Sequence, residues 1–460
     1  MTQRTIQDIL RNDLKYNWHP YTQMKDCEAL PPIPICRAKG IKLFCPDGKF
    51  YYDTVSSWWC NVHGHGHAAM NRAIAEQCKK LDHVMFAGFT HEPAIELSKK
   101  LIKMAPKGLS RVFYSDNGST AVEVALKMSF QYWKNMGYEK KERFIALDYG
   151  YHGDTIGTMS VGGIGIFNKV YKSLFYKALR VKTPYCYRCP LGLQKCKCRI
   201  DCLSFMEKAL KNDHEKIAAI IVEPVLMGAG GMIIYPPEYL KGVETLARKY
   251  NVHLILDEVA SAFGRTGKMF ACEHAKVSPD FICISKGLTS GYLPLGATLT
   301  TDKIYKSFYD DYEKMKTFFH GHTFTANPIL CKIATTNLEI FRREKTLKNV
   351  KKIERFLRKF SEEIKNFNFV GDVRNIGTVL AVEIVKSKIS KKVFQNEQRV
   401  GYQIYKIGLK NGLILRPIGN VAYLFLPLST TIEEVKIITS LFKKSLSFFG
   451  DSISLNETPC

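Results

Sequence analysis

The stretch LILDEVASAFGRTG, residues 254–267, has the pattern of a buried strand that ends on charge. Its apolar run stops at two carboxylates, Asp257 and Glu258, and a glycine-punctuated loop carrying Arg265 follows. A buried anion is costly unless a positive group meets it. The pattern therefore favours a cation held at the end of this strand, and the alternative is that the chain simply reaches the surface there.

Strand-like and helix-like patterns alternate on both sides of this stretch, which is typical of a mainly parallel α/β sheet. Residues 111–116 (RVFYSD), 217–225 (IAAIIVEPV) and 281–287 (FICISKG) are short strand-like runs that lead into polar residues or loops. Residues 67–85 and 120–135 have helical periodicity. The pattern therefore predicts an α/β fold for the middle of the chain.

The sequence pattern becomes mainly helical in the last third of the chain. Residues 329–367 are strongly helical, and 377–385 (GTVLAVEIV) and 422–428 (AYLFLPL) indicate strands of a smaller α/β domain. We therefore predict three parts: an N-terminal segment, 1–62, that packs with the small domain and the active site; a large cofactor-binding domain, 63–330; and a small C-terminal domain, 331–460.

The composition is that of a basic, globular chain. Its 460 residues carry 67 Lys and Arg against 43 Asp and Glu, a net charge of +24, with 46% hydrophobic residues. The lysines are scattered rather than gathered in a basic arm, so we expect no nucleic-acid partner. No apolar run is long enough for a bilayer and the N-terminus lacks the apolar centre of a signal peptide, so we expect no membrane partner. Fourteen cysteines then indicate a reducing cytoplasm and mostly free thiols.

Three polar residues follow separate strand-like runs: Glu223, Asp257 and Lys286. In open α/β sheets ligands bind beyond the carboxyl ends of the strands, so we expect these side chains to share one crevice. A buried lysine can form an imine with a carbonyl cofactor, although a lysine after a strand can also extend outward into solvent. Pyridoxal phosphate enzymes need such a lysine and an anion at the pyridine nitrogen, and Asp257 would be that anion.

Two small, hydroxyl-rich loops could bind a phosphate. In SDNGST, residues 115–120, Gly118 permits close backbone approach, and Ser119 and Thr120 offer N–H groups and hydroxyls at a helix start. Residues 320–328, HGHTFTANP, form the second such loop. Each is a weak signal alone, because many helices begin with Gly-Ser.

Residues 257–288, DEVASAFGRTGKMFACEHAKVSPDFICISKGL, resemble the signature of class III, or ornithine-type, aminotransferases. GYHGDT (150–155) and VEPVLMGAGG (222–231) extend the resemblance over nearly the whole chain. It implies a fold-type I pyridoxal-phosphate-dependent transferase, with a mainly parallel seven-stranded sheet in the large domain and a smaller α/β C-terminal domain. It also implies pyridoxal 5'-phosphate as the cofactor.

The resemblance assigns roles to individual residues. Lys286 would be the Schiff-base lysine and proton shuttle, Asp257 the partner of the pyridinium nitrogen, and Tyr21 a third catalytic residue beside the substrate. The implied cofactor-binding residues are Gly118, Ser119, Tyr151, His152, Glu223, Asp257, Lys286, His322 and Thr323. The implied substrate-binding residues are Trp58, Trp59, Tyr151, Asp154, Lys286, Gly321 and Arg416. No metal ligand is among them.

Some of these roles carry further expectations. Arg416 would pair with a substrate carboxylate, which suits a planar bidentate guanidinium. His322 and Thr323 would come from the partner subunit, so a homodimer is expected. Trp58 and Trp59 would point opposite ways on a strand, and the resemblance favours Trp58 for the pocket.

The N-terminal motifs narrow the resemblance to one branch of the family. WHPYTQM (18–24), SSWWCNVHGHGH (56–67), residues 83–101 and LRPIG (415–419) are similar to enzymes that aminate 8-amino-7-oxononanoate to 7,8-diaminononanoate in biotin synthesis. The resemblance implies that the partners of this chain are small molecules, namely this keto acid and an amino donor. The donor is S-adenosylmethionine in most members of the branch and lysine in some relatives. The motifs argue against the nearest alternative, another class III transaminase of ω-amines such as ornithine or a diamine.

Residues 184–205, PYCYRCPLGLQKCKCRIDCLSF, hold five closely spaced cysteines. Their CxxC and CxC spacings could bind zinc, and the alternative is a surface loop with free thiols. The segment resembles the lysine-using relatives locally. An aminomutase and a basic, cysteine-bearing binding protein are the remaining alternatives, and the second would not explain Asp257 and Lys286.

Overall fold

The computed structural model describes residues 3–194 and 197–455. Its strands are β1 Arg37–Lys39, β2 Lys42–Phe44, β3 Phe50–Tyr52, β4 Leu109–Ser115, β5 Arg143–Leu147, β6 Leu179–Val181, β7 Ile217–Val222, β8 Leu226–Met227, β9 Ile233–Ile234, β10 His253–Asp257, β11 Phe281–Ile284, β12 Gly296–Thr301, β13 Val370–Ile376, β14 Val379–Ile384 and β15 Val421–Phe425. Its α-helices are α1 Gln3–Tyr16, α2 Asp26–Ala29, α3 Ser56–Trp59, α4 Ala68–Cys78, α5 Glu92–Met104, α6 Gly118–Asn135, α7 Ile156–Val161, α8 Gly165–Asn168, α9 Leu203–Asp213, α10 Pro237–Lys249, α11 Asp302–Lys306, α12 Pro328–Arg343, α13 Thr346–Ile364, α14 Val400–Lys410 and α15 Ile432–Leu455.

A seven-stranded sheet organises the large domain, in the order β4-β12-β11-β10-β7-β5-β6. Neighbouring strands from β11 to β6 are parallel, whereas β12 runs antiparallel to both β11 and β4. The prediction of a mainly parallel seven-stranded α/β sheet is therefore confirmed.

The central strands are buried on both faces, which explains their continuous apolar sequences. Along β10, Leu254 and Leu256 pack into the main hydrophobic cluster, and Ile255 between them packs into a second cluster with α6. Successive residues of a strand point to opposite faces, so each face needs its own layer of helices. Along β7, β10 and β11 the charged side chains accordingly stand at or just beyond the strand ends.

The small domain is built on an antiparallel sheet of β13, β14 and β15, which shares a hydrophobic cluster with α13, α14 and α15. The N-terminal segment joins this cluster through Ile41 and Tyr52. Tyr52 N–H donates to Gly412 O at 2.9 Å, and Ile414 N–H donates to Tyr52 O at 3.1 Å. These contacts place residues 41 and 52 against the small domain, and the domain boundaries at residues 62 and 330 stay predictions.

A buried ion pair links the small domain to the large one. Arg374 on β13 binds Glu383 on β14 at 2.9 Å and donates to the carbonyls of Gly231 and Met232 in the large domain. Arg188, from the cysteine-bearing segment, donates to the other oxygen of Glu383 at 2.7 Å. One carboxylate therefore ties three parts of the chain together.

The short helix α3 is a single left-handed turn. Ser56, Ser57, Trp58 and Trp59 have φ values of 50°, 44°, 72° and 74°. Trp59 N–H donates to Val55 O at 2.8 Å, and Cys60 N–H donates to Ser56 O at 3.0 Å, the spacing of an α-helix. Because this conformation costs L-residues about 1–2 kcal/mol each, the surrounding structure must hold it. The two tryptophans therefore do not lie on a strand, so the case in which their side chains would point to opposite faces does not apply.

Within the described ranges, none of the helices combines the length and apolar character needed to cross a bilayer.

Candidate active site

The carboxyl ends of β7, β10 and β11 meet at one cavity of about 550 Å³. Glu223 follows β7, Asp257 ends β10, and Lys286 lies two residues beyond β11. All three side chains line the cavity, because these strands are adjacent and parallel. The sequence-based expectation that they share one crevice is confirmed.

Asp257 lies buried at the base of the cavity, held by two hydrogen bonds. Val259 N–H donates to its Oδ1 at 3.1 Å, and His152 Nδ1 lies 2.7 Å from its Oδ2. A carboxylate only accepts, so Nδ1 of this buried imidazole carries the proton. The remaining lone pairs of the Asp257 carboxylate can accept a proton-bearing nitrogen from the cavity.

Glu258, the second carboxylate of residues 254–267, has a structural role. Glu258 is fully buried, and its two oxygens accept N–H bonds from Ala271 at 2.7 Å and Cys272 at 2.8 Å. Burial raises the pKa of this carboxyl to about 7, although these bonds act in the opposite direction. Glu258 thus holds the loop behind the cavity, and Asp257 faces into it.

Lys286 reaches into the same cavity from a strained backbone, with φ of 43°. Its Nζ lies 5.2 Å from the centroid of the Trp59 ring. Burial lowers the pKa of this amine, whereas the nearby Asp257 and Glu223 carboxylates act in the opposite direction. A lowered pKa increases the fraction of neutral amine, which is the form that attacks carbonyls and accepts protons.

The start of α6 borders the same cavity, where the N-terminus of a helix favours an anion. Asn117 caps the helix: its Oδ1 accepts from Thr120 N at 3.1 Å, and Thr120 Oγ1 accepts from Asn117 N at 3.0 Å. Both groups of Thr120 are therefore engaged in the cap, contrary to the expectation that they bind phosphate. Gly118 and Ser119 line the cavity, and a Cβ on Gly118 would come within 2.5 Å of Val259 Cγ1.

A chain of hydrogen bonds joins two tyrosines through one carboxylate. Tyr21 OH donates to Asp154 Oδ1 at 2.6 Å, and Tyr151 OH donates to Asp154 Oδ2 at 2.9 Å. Burial, followed by the hydrogen bond to Asp154, raises the pKa of Tyr21 to about 12. Both phenols therefore keep their protons at neutral pH, because burial also raises the pKa of Tyr151.

Glu223 holds the backbone of Tyr151, one of the two tyrosines in this hydrogen-bond network. Its Oε1 accepts from Tyr151 N at 3.0 Å, and its Oε2 accepts from Gly228 N at 2.9 Å. Burial raises the pKa of Glu223 to about 7, with His152 acting in the opposite direction. The carboxyl therefore fixes the backbone that carries Tyr151.

The mouth of the site is aromatic and positively charged. The rings of Tyr21 and Trp58 meet edge to face at 5.8 Å, and Arg416 Cζ lies 4.8 Å from the Trp58 ring. Trp58 is 41% exposed here. The sequence favoured Trp58 for the pocket, whereas Trp59 lines the cavity beside Lys286.

Arg265 takes no part in the lining of the cavity. It is 2% exposed, and its guanidinium bonds Asn61 O at 3.1 Å, Thr378 Oγ1 at 3.0 Å and Leu426 O. These partners belong to the N-terminal segment and the small domain. Arg265 therefore joins those two parts to the large domain.

Residues 321–323 are absent from the described lining of this chain's cavity. His322 Nδ1 instead lies 2.8 Å from Oδ2 of Asp116, two residues before the start of α6. The predicted contacts of Gly321, His322 and Thr323 with cofactor or substrate are therefore not made within this cavity by one chain.

Four described cysteines, Cys186, Cys189, Cys198 and Cys202, line a separate small, mostly apolar cavity beside Tyr239. Among the described residues, no three His, Cys, Asp or Glu side chains are grouped so that they could hold a metal ion. Cys196, which was considered with them as a zinc ligand, lies outside the described residues.

The residues that sequence reasoning missed are Asp53, Ser57 and His65, which support the two tryptophans, and Cys60 in the cavity wall. The one sequence feature that could have indicated these residues is the clustering of small and polar residues around Trp58 and Trp59.

The arrangement fits the cofactor that the resemblance implies. Pyridoxal phosphate has an anionic phosphate, a basic ring nitrogen and an aldehyde. The start of α6 with its glycine, the buried Asp257 carboxylate and the Lys286 amine offer one matching group for each.

Comparison with known proteins supports this fit. The family model described as aminotransferase class-III matches residues 24–446. A Geobacter sulfurreducens protein named adenosylmethionine-8-amino-7-oxononanoate aminotransferase is 42% identical over 435 residues, 94% of this chain and 96% of that protein. The Methanocaldococcus jannaschii protein of the same name is 41% identical over 434 residues, 92% and 94% of the two chains.

Solved structures agree in fold. The crystal structure of the Methanocaldococcus jannaschii aminotransferase has a TM-score of 0.92 and 39% identity, covering 96% of this chain and 99% of that one. The omega transaminase from Pseudomonas jessenii, in complex with PMP, has a TM-score of 0.92 and 30% identity, covering 97% and 99%.

Proposed function

The chain belongs to the class-III aminotransferase family, and from this we propose that it aminates 8-amino-7-oxononanoate to 7,8-diaminononanoate in biotin biosynthesis. The observation that carries the proposal is its similarity to enzymes of that name over nearly its full length. The class is pyridoxal-phosphate-dependent, so this chain is a pyridoxal-phosphate-dependent aminotransferase.

We propose that Lys286, Asp257 and the start of α6 hold the cofactor. Bound pyridoxal phosphate supplies an aldehyde that captures amines and a protonated ring that withdraws electrons. Gly118 and Ser119 would bind the phosphate, with His322 and Thr323 of a second copy. Asp257, oriented by His152, would keep the ring nitrogen protonated, and Tyr151 would cover the ring with its backbone fixed by Glu223.

Lys286 moves the proton in this proposal. Its Nζ accepts a proton from the donor carbon that bears the amino group, and it returns a proton when the keto acid is aminated. Burial lowers the pKa of Lys286, so the neutral amine needed for this step is more available near neutral pH. Tyr21, whose hydroxyl is held by Asp154, stays protonated and orients the substrate amine.

The keto acid would enter from the aromatic mouth. It is a long apolar chain with a carboxylate at one end, so it suits a pocket with aromatic walls and one arginine. Arg416 would bind the carboxylate, and Trp58, Trp59, Tyr151 and Asp154 would line the path, with Gly321 contributed by the second copy. The closeness of Arg416 to Trp58 supports this assignment.

We propose S-adenosylmethionine as the amino donor, because the sulfonium is a cation that the face of Trp58 could attract. Lysine is the alternative donor. The test is to incubate the holoenzyme with the keto acid and each donor separately and to detect the diamine by mass spectrometry. Diamine formation with ornithine or another ω-amine, but with neither of these donors, would contradict the proposal.

We further propose a homodimer with shared active sites. Residues 321–323 do not line the cavity of their own chain, although the resemblance assigns them to a site. The test mixes two inactive variants, Lys286→Ala and Thr323→Glu, under conditions that exchange subunits. If the partner supplies Thr323, each mixed dimer has one intact site and activity returns, whereas sites built from one chain would stay inactive.

We also propose a cytoplasmic location with no nucleic-acid or membrane partner. None of the described cysteines takes part in a disulfide bond, as expected in a reducing compartment. Fractionation of the producing cells tests this, and recovery in the membrane or nucleic-acid fraction would contradict it.

A further inference from the structure

The left-handed turn α3 carries both tryptophans of the active site. Four consecutive residues without a glycine among them, Ser56–Trp59, hold positive φ values. Left-handed conformations are routine only for glycine, and then mostly as single residues. Strained backbone persists where the surroundings over-determine it, and it clusters at functional sites.

Asp53 is the main support of this turn. Its carboxylate is 1% exposed; Oδ1 accepts from Ser57 N at 2.7 Å, and Oδ2 accepts from Ser57 Oγ at 2.7 Å. His65 Nε2 lies 2.9 Å from the same Oδ2 and 3.4 Å from Ser57 Oγ. The carboxylate thus binds both the backbone and the side chain of the residue with the smallest φ in the turn.

The other side of the turn is fixed by the small domain. Ser56 Oγ donates to Phe425 O at 2.5 Å, and Trp59 Nε1 donates to Tyr423 OH at 3.1 Å. The Trp59 ring also stacks on Phe425, with 5.5 Å between centroids. The turn is therefore held between Asp53 and the edge strand β15.

The turn brings adjacent tryptophans to one site. On a strand, neighbouring side chains point to opposite faces, whereas on a helical turn they are about 100° apart. Trp59 accordingly faces Lys286 Nζ at 5.2 Å, and Trp58 faces Arg416 Cζ at 4.8 Å. One ring borders the reacting end of the cavity, and its neighbour borders the carboxylate-binding end.

We propose that Asp53 and His65 are positioning residues that hold α3 left-handed, and that they thereby set how tightly the keto-acid substrate is bound. This inference rests on the proposed function for the identity of that substrate. Asp53 and His65 touch neither the cavity nor Lys286 in the described contacts, so they act through Ser57 and the two rings.

The first experiment separates KM from kcat. In Asp53→Ala holoenzyme, we expect KM for the keto acid to rise about tenfold or more, because the aromatic wall shifts away from Arg416. The kcat at saturation should change less than about threefold, since Lys286 and Asp257 remain in place. The visible spectrum of the bound cofactor should be unchanged. Asp47→Ala is the matched control: this exposed carboxylate also accepts a backbone N–H, from Lys49 at 3.1 Å, but supports no part of the site.

The second experiment tests the backbone directly. In Asp53→Ala/Ser57→Gly, glycine accepts a left-handed φ without steric cost, so KM should return to within about threefold of the parent. A role for Asp53 in general stability alone would lower the thermal midpoint without this recovery. Failure of glycine to recover KM, or an equal loss in kcat and KM, would overturn the inference.

Milder variants cover the case in which Asp53→Ala does not fold. His65→Gln and Ser57→Ala each remove part of the support, so each should raise KM by less than Asp53→Ala and alter the near-UV circular dichroism of the apoenzyme. Binding of the keto acid, followed by calorimetry, separates the two proposals. If the parent does not bind it, the proposed function fails; if the parent binds it and His65→Gln and Ser57→Ala bind it equally well, this inference fails.

Discussion

His152 Nδ1 lies 2.7 Å from Asp257 Oδ2 at the buried base of the active site. The imidazole donates to one oxygen while the backbone of Val259 donates to the other, so the carboxylate cannot rotate. An anion fixed in this way suits the role that we propose for Asp257, that of partner to the ring nitrogen of the cofactor. The first two predictions concern this anion and the lysine across the cavity.

Asp257→Asn should retain the shape of the site and lose its negative charge. We expect kcat/KM to fall about 10²–10⁴-fold, because the ring nitrogen then has no anion to keep it protonated. Steady-state kinetics of the holoenzyme with saturating cofactor provide the measurement. Asp310→Asn, at an exposed position, is the control, and a similar loss in both variants would contradict a specific role for Asp257.

Lys286→Ala should bind the cofactor and fail to turn over, because the amine that moves the proton is gone. Cofactor retention is followed by the visible spectrum after gel filtration, and turnover by diamine formation. Lys276→Ala, which removes an exposed amine, should behave like the parent. Sustained turnover by the Lys286 variant without added amine would falsify the assignment.

Arg416→Met should weaken binding of the keto acid more than it slows the reaction. Loss of a charge-assisted bond costs about 1.5–3 kcal/mol, which corresponds to a rise in KM of about 10–150-fold. Lys410→Met, which removes an exposed charge nearby on α14, should leave KM unchanged. An acceptor without its carboxylate should react equally with the parent and with Arg416→Met; discrimination between these two enzymes would argue against the pairing.

Glu383 should make the free energy of unfolding depend on pH in the acid range. Burial raises the pKa of this carboxyl, but Arg374 and the hydrogen bond from Tyr185 outweigh burial, so the net pKa is below the usual value. The folded state therefore binds fewer protons than the unfolded state, and the contribution is present above the unfolded pKa and lost as pH falls through the folded pKa.

Glu383→Gln should accordingly lower the free energy of unfolding by about 3 kcal/mol at neutral pH, because Arg374 and Arg188 lose a shared partner. The difference from the parent should shrink in acid. Denaturation at a series of pH values measures it, and Glu362→Gln, in an exposed pair with Lys365, should change stability by less than about 1 kcal/mol. A pH-independent difference would contradict the linkage.

The central sheet and the residues at the base of the site could be predicted from the sequence. Runs such as IAAIIV and LILD have the length and continuous apolar character of strands buried on both faces, and the polar residue after each run marks the edge of the sheet where ligands bind. Asp257 and Lys286 were therefore within reach of pattern and chemistry alone.

The left-handed turn at Ser56–Trp59 could not be predicted from the sequence pattern. Nothing in SSWW favours positive φ, and the groups that impose it include Tyr423 and Phe425, more than 360 residues away. Thr120 was misjudged for a simpler reason. Asn117 competes for its N–H and hydroxyl in a capping box, which NGST permits but does not require.

The antiparallel strand β12 has a consequence for the geometry of this active site. It lies between β4, which leads to the start of α6, and β11, which leads to Lys286, so one strand width is inserted between the two anchoring points. Two strand spacings amount to about 10 Å, and this separation is built from main-chain hydrogen bonds that side-chain change cannot stretch. The sheet thus fixes the distance between the start of α6 and Lys286, whereas Trp58 and Arg416 at the mouth of the site lie outside this sheet.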